Sequence, residues 1–308
     1  DRAIDFLNRP RSPETPFYLS VHYTAPHSPW IGQHPERLME RYRDCGFRSM
    51  PRLPIRPEGV IVLEPETPEW RESLAGYFAS ITAVDEGVGR IAEALRQNGQ
   101  WDNTLFIFTS DNGFQCGHHG IWGKGNGTWP FNAYEEAVRV PMIFHHPARI
   151  PGGRVSAALA GGYDLYPTLL SYAGIAPAPH SKRPGRDLCP LLYGERQTVQ
   201  DRLVIYDEYG PLRMLRSSKW KYVHFLDGHP DLLYDLEEDP GELENLAGRA
   251  DPGRLRALRG MLEEWFDSHG EPDLARAARH VTGTGQNRRA TEPGAWRAPY
   301  PTKAERKR

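Results

Sequence analysis

Apolar and polar positions along this chain follow two rhythms. In EWRESLAGYFASITAVDEGVGRIAEALRQNGQ, residues 69–100, Leu74, Phe78, Ile81, Val84, Val88, Ile91 and Leu95 recur at three- and four-residue steps. That spacing predicts a helix with one apolar face, and Asn98-Gly99 supplies its stop. PFYLSVHYTAPHSP, residues 16–29, reads instead as a strand rich in aromatic and β-branched residues, followed by a proline-bounded loop. TLFIFTS, residues 104–110, is apolar on both faces, as a central strand of a parallel sheet is, and VPMIFHHP, residues 140–147, is a second short strand. YDLYPTLLSYAG, residues 163–174, reads as a helix ended by Gly174.

Strands alternating with helices predict an α/β fold, a mainly parallel sheet with helices on both faces. The pattern changes near residue 197. RLVIYDEYGPLRMLRSSKWKYVHF, residues 202–225, reads as consecutive antiparallel strands with a turn at Ser217-Ser218, and residues 251–270 as an amphipathic helix stopped by Gly270. The boundaries expected are 1–196 for the α/β unit, 197–272 for a small C-terminal α+β subdomain with an antiparallel sheet, and 273–308 for an extended tail. Residues 31–68 are proline-rich and irregular, a long surface excursion.

The remaining composition narrows the function classes. A formal charge of −2 over 308 residues leaves no global basic field for nucleic acid. Basic residues gather only at the end, from Arg288 to Arg308, where a solvated tail is the simpler reading. Cys45, Cys116 and Cys189 have neither the number of a disulfide framework nor the spacing of a zinc site. No apolar run approaches the roughly 20 residues of a membrane span. The chain opens with Asp1 on DRAIDFLNRP, which reads as the end of a helix, so a preceding N-terminal part is expected.

FTSDNGFQCGHHGIWGKG, residues 108–125, carries the candidate chemistry. Asp111-Asn112 follows a buried strand directly, at the sheet edge where α/β folds hold ligands. Carboxylate and amide oxygens suit Ca²⁺ or Mg²⁺ rather than zinc or copper, although Asp-Asn-Gly is more commonly just a turn. Lys124 stands between Gly123 and Gly125, where the backbone can come close to an anion, or where a lysine simply occupies a flexible loop. His27, at the end of the first strand, is expected at the same sheet edge, where it could protonate a leaving oxygen, although a lone histidine there is more often an ordinary loop residue. His119 and Trp129 are candidates for the wall of the site; either could equally be packing.

Taken in order, LSVHYTAPHSP, YFASITAVDEGVGRI, FTSDNG, GIWGKGNGT, EEAVRVPMIFHHP and LLYDLEEDPGELENLA resemble the type I, formylglycine-dependent sulfatases of the alkaline phosphatase superfamily, from about residue 16 to about residue 270. The resemblance implies hydrolysis of a sulfate ester of a small molecule or glycan, with no nucleic-acid partner. It gives Asp111 and Asn112 the part of calcium ligands, Lys124 that of the lysine holding sulfate and leaving oxygen, and His27 that of the histidine at the ester oxygen. Two family features are absent from these 308 residues: the Cys/Ser-x-Pro/Ala-x-Arg motif that becomes formylglycine, and the paired aspartates of the first strand. Both are expected upstream. The alternatives are a phosphodiesterase or phosphonate monoester hydrolase of the same superfamily, and a non-catalytic sulfatase-like binding protein.

Overall fold

The computed structural model describes residues 1–12, 14–59, 61–128, 130–176, 182–206, 212–226 and 228–269. The expected tail at 273–308 and Trp129 lie outside them. In chain order the helices and strands are α1 (Arg2–Leu7), α2 (Glu36–Met39), α3 (Pro68–Gln97), β1 (Phe106–Thr109), β2 (Gln115–Cys116), β3 (Trp122–Gly123), α4 (Glu135–Val138), β4 (Met142–His145), α5 (Leu165–Tyr172), α6 (Cys189–Leu192), β5 (Arg202–Tyr206), β6 (Leu212–Ser217), β7 (Trp220–Phe225), β8 (Leu232–Asp235) and α7 (Pro252–His269).

The long helix α3 is bounded by side-chain chemistry at both ends. The Thr67 hydroxyl accepts from the Trp70 amide at 3.2 Å, and Pro68 occupies the first turn, where its missing N–H costs nothing. Asn98 caps the other end, followed by Gly99 at φ 66°. Its buried residues fall in two groups. Trp70, Leu74 and Ala75 enter a core with Trp30, Phe47, Cys116 and Trp122, whereas Ile91, Ala94 and Leu95 enter another with Leu7. Between them Ile81 is 40 % exposed, so the predicted apolar face is not covered along its whole length.

Two expectations about strands need correction. Among the described residues β1 has no parallel partner: it runs antiparallel to β4, with Phe106 opposite His145 and Thr109 opposite Met142. Nor is it buried on both faces, since all four of its residues are only half-buried; an apolar run fixes neither the burial of a strand nor the direction of its neighbour. Residues 16–23 form no ladder among the described residues. Phe17 and Leu19 pack against the Leu7–Ile91–Leu95 core, while Tyr18, Val21 and Tyr23 are exposed. Alternating apolar residues favour a strand only where another strand offers backbone groups to pair with.

The C-terminal sheet has the order β5-β6-β7-β8, all antiparallel. Side chains on successive residues take opposite faces. Val204, Leu215, Tyr222 and Leu233 therefore meet Leu262 and Phe266 of α7, while Met214, Val223 and Phe225 meet Ala133 and, at its edge, Phe131 and Val138. The second face thus rests on the segment leading into α4. The turn expected at Ser217-Ser218 is present one residue on, at Ser218 and Lys219. β8 was not anticipated: LLYD is short, and its pairing with β7 shows only in three dimensions.

Trp122 is fully buried beneath the hairpin of β2 and β3, in tilted contact with Trp30 at 6.1 Å. Trp122→Ala is expected to destabilise the protein by about 3–5 kcal/mol through lost burial and a cavity. A chemical-denaturation midpoint measures it, and an unshifted midpoint would remove Trp122 from the core that supports this hairpin.

Candidate active site

Asp111 and Asn112 follow β1 by two and three residues. The chain there is folded on itself: the Asn112 amide donates to Asp111 Oδ1 at 2.8 Å, and Ser110 Oγ donates to the Asn112 carbonyl at 2.9 Å. The Asn112 side-chain amide donates to the Gly113 carbonyl at 2.8 Å. Asn112 Oδ1 is thereby turned to accept from Lys124 Nζ, at 3.2 Å.

The β2–β3 hairpin brings that lysine back. Gln115 stands opposite Gly123 and Cys116 opposite Trp122, so Lys124 emerges beside the segment that precedes β2. The hairpin closes through the Gly117 amide on the Ile121 carbonyl at 2.8 Å, and Gly120 sits at φ 69°. A Cβ at Gly120 would lie 2.2 Å from the Pro54 carbonyl oxygen, so both conformation and space require glycine.

A third segment braces both. Asn132 donates from its backbone to the Gly125 carbonyl at 2.8 Å and from its side chain to Thr128 Oγ1 at 3.0 Å, which ties down the loop after Lys124. Farther along, the Gly113 amide donates to the Ala137 carbonyl at 2.9 Å. The backbones meet so closely that a Cβ at Gly113 would stand 2.0 Å from the Glu136 carbonyl oxygen.

His27 is placed by a different contact. Its Nδ1 lies 2.7 Å from the Ser28 carbonyl, which only accepts, so Nδ1 carries the proton. Trp30, three residues on, stacks edge-on against Phe114 at 5.3 Å, with its indole N–H on the Pro26 carbonyl at 2.7 Å. The His27 loop therefore packs on the same hairpin as Lys124. No hydrogen bond joins His27 to Asp111, Asn112 or Lys124 among the described residues.

His119 is engaged elsewhere. Its ring stacks on Tyr134 at 3.7 Å, and Nε2 lies 3.5 Å from Glu136 Oε2. With its side chain 8 % exposed, it is a packed residue rather than an open wall. Donor atoms of His119, Glu136 and Glu242 lie within 4.8 Å of one another, but Glu242 already holds the buried ammonium of Lys221 at 2.7 Å. Glu136 is pulled two ways: burial raises its carboxyl, the contact with His119 lowers it, and the net lies below the ordinary value. Cys116 is buried and its thiol is pushed up to about 12, which leaves no thiolate nucleophile there at neutral pH.

Residues 1–175 match the sulfatase family, and residues 117–265 match the C-terminal region of N-sulphoglucosamine sulphohydrolase. The chain belongs to the sulfatase family. It is 32 % identical over 282 residues to the choline-sulfatase of Rhizobium meliloti, covering 82 % of this chain and 51 % of that protein. It is 32 % identical over 208 residues to the N-acetylglucosamine-6-O-sulfatase of Bacteroides thetaiotaomicron, covering 64 % and 36 %. The crystal structure of yidJ from Bacteroides fragilis superposes with a TM-score of 0.73 at 29 % identity, covering 89 % of this chain and 58 % of that one. The chain thus spans about half the length or less of these two curated relatives. The fold is the α/β fold of the sulfatases, with the antiparallel sheet in the C-terminal region.

Sulfatases use a formylglycine and a divalent metal. The donors at the β1 end fit such an ion in kind: an exposed carboxylate and an amide oxygen, hard ligands with no thiolate among them. Sequence reasoning missed the bracing by Asn132, Glu136 and Ala137. The adjacent acids in YEEAV, residues 134–138, were the available signal, but a backbone contact leaves no side-chain signature.

His118 gives this region a pH dependence. Burial holds its imidazole below the ordinary 6.5, against the opposing pull of Glu136. A depressed histidine contributes stability that is whole above the unfolded-state value. That stability is lost as pH falls from there toward the lower folded value, because the unfolded chain takes the proton first. His118→Gln is expected to flatten the decline of the melting temperature between about pH 7 and 5. An identical slope in both proteins would exclude His118 as its source.

Proposed function

We propose that this chain contributes one half of the active site of a sulfate-ester hydrolase, a sulfatase acting on the ester of a small alcohol or a sugar. The single observation carrying this reading is Lys124 Nζ at 3.2 Å from Asn112 Oδ1, a cation returned by a hairpin to a pair of hard oxygen donors at a strand end. Family membership and relatives whose names specify choline sulfate and N-acetylglucosamine 6-sulfate chemistry support the substrate class.

In this reading Asp111 and Asn112 hold a calcium ion, with magnesium the weaker candidate. They supply two of the roughly six to eight oxygens that calcium takes. The ion and the formylglycine supply, respectively, charge compensation at the sulfuryl oxygens and the attacking oxygen. Lys124 moves its ammonium from Asn112 Oδ1 to a sulfuryl oxygen and stabilises the negative charge that gathers there during S–O cleavage. His27, with Nδ1 donating to the Ser28 carbonyl, has Nε2 left to take a proton from solvent and pass it to the departing alkoxide. Tyr134 and Glu136 keep His119 as a brace for the hairpin.

Two measurements test these roles in the longest form of the protein that carries this chain. Lys124→Ala is expected to lower kcat/KM for an aryl sulfate by about 10²–10³-fold, the cost of losing one preorganised donor. Turnover close to that of the unaltered protein would reject the role. Asp111→Ala is expected to lower bound calcium, read by elemental analysis after dialysis against a low-calcium buffer; undiminished calcium would reject the ligand assignment.

A further inference from the structure

Lys221 is fully buried, on the face of β7 that it shares with Val223 and Phe225. A buried ammonium is stable only when its donors are matched. This one has three partners: Glu135 Oε1 at 2.7 Å, Glu242 Oε1 at 2.7 Å and the Ala133 carbonyl at 2.9 Å. Glu242 in turn accepts the Glu135 backbone N–H on its other oxygen at 2.6 Å. Two carboxylates and one carbonyl, drawn from two separate parts of the chain (133–135 and Glu242), therefore converge on one cation.

Two of those partners, Ala133 and Glu135, belong to the segment that braces the candidate site. Asn132, one residue before Ala133, holds the loop after Lys124 through the Gly125 carbonyl. Ala137, two residues after Glu135, accepts the Gly113 amide next to Asn112. The 132–137 segment therefore touches both halves of the Asn112–Lys124 contact, and Lys221 clamps its middle.

We infer that Lys221 is a positioning residue: from the C-terminal sheet it sets the distance between Lys124 and the Asp111-Asn112 step by clamping residues 133–135. This rests on the sulfatase reading for its catalytic consequence, though not for the clamp itself. The charge state fits. Burial raises the Glu135 carboxyl, but Lys221 and Arg216 more than offset it, and the net lies below the ordinary value. Glu242 lies above its ordinary value, because burial outweighs Lys221 there and the neighbouring Glu135 charge adds to it. Glu135 is thus the firm anion of the clamp, and it is the one on α4.

The test pairs hydrogen exchange with kinetics in the longest form of the protein that carries this chain. Lys221→Met with Glu242→Gln removes the cation and one carboxylate charge together, while Glu135 keeps Arg216 at 3.2 Å. The amides of Gly113, Gly127 and Asn132 are expected to exchange at least about ten-fold faster while those of β5 and β6 stay protected. With an aryl sulfate, kcat is expected to fall about ten- to a hundred-fold with KM little changed. Glu242→Gln alone, which leaves Lys221 on Glu135 and Ala133, is expected to restore most of both. Unchanged exchange at those three amides overturns the inference. Accelerated exchange with unaltered kcat overturns its catalytic part. A parent protein that hydrolyses no sulfate ester overturns the sulfatase reading alone, and exchange then decides the clamp. If the double variant does not fold, Glu135→Gln carries the test, with faster exchange at Gly113 and Asn132 expected and unchanged rates overturning it.

Discussion

The meeting of two backbones at Gly113 is the constraint on which the candidate site depends. The Gly113 amide bonds the Ala137 carbonyl, and the Glu136 carbonyl occupies the space a side chain would need. Because of that approach the chain after β1 is pressed against α4, and Asn112 has one direction in which to present Oδ1. The hairpin meets that direction from the other side, carrying Lys124. Polar groups on two separate loops come within 3.2 Å only because a third segment touches both.

That third segment owes its position to charge buried under the C-terminal sheet. An isolated lysine in a core is costly, and three oxygens around Lys221 offset the cost. The same β7 alternation that sends Tyr222 toward α7 sends Lys221 toward Ala133 and Glu135. The C-terminal sheet is therefore more than an appended module. Its apolar positions seal Ala133 and Phe131, and its buried Lys221 contacts Ala133 and Glu135 where α4 begins. Glu242, in the segment DPGELENLA, completes the arrangement at φ 52°, a left-handed conformation that non-glycine residues adopt only when their surroundings impose it.

Much of this was legible along the chain. α3 follows from its three- and four-residue rhythm and from the Asn98-Gly99 stop, whereas its start at Thr67 and Pro68, inside the segment read as an irregular excursion, did not. The strands β5 to β7 follow from alternating residues and the serine turn, and α7 from its amphipathic pattern. Asp111, Asn112 and Lys124 were recognisable by type and by their setting between a strand and glycines, and the structure joins the last two. Less legible was what each histidine contacts: His119 lies close in sequence to Lys124, yet its ring is spent on Tyr134 and Glu136, while the His27 loop reaches the same hairpin through Trp30. Sequence proximity misleads there because the hairpin turns its tip away from the residues at its base.

The sequence by itself determined the local elements, the hard-donor step after β1 and the kinship with sulfatases, because each rests on residue type and short-range spacing. Only the tertiary structure decided the antiparallel pairing of β1 with β4, the lack among the described residues of a ladder for 16–23, the bracing of Asn112 and Lys124 by 132–137, and the burial of Lys221 between Glu135 and Glu242. These depend on which backbone groups and which charges meet across tens of residues. A pattern of side chains records what a segment prefers to bury; it does not record the partner against which it is buried.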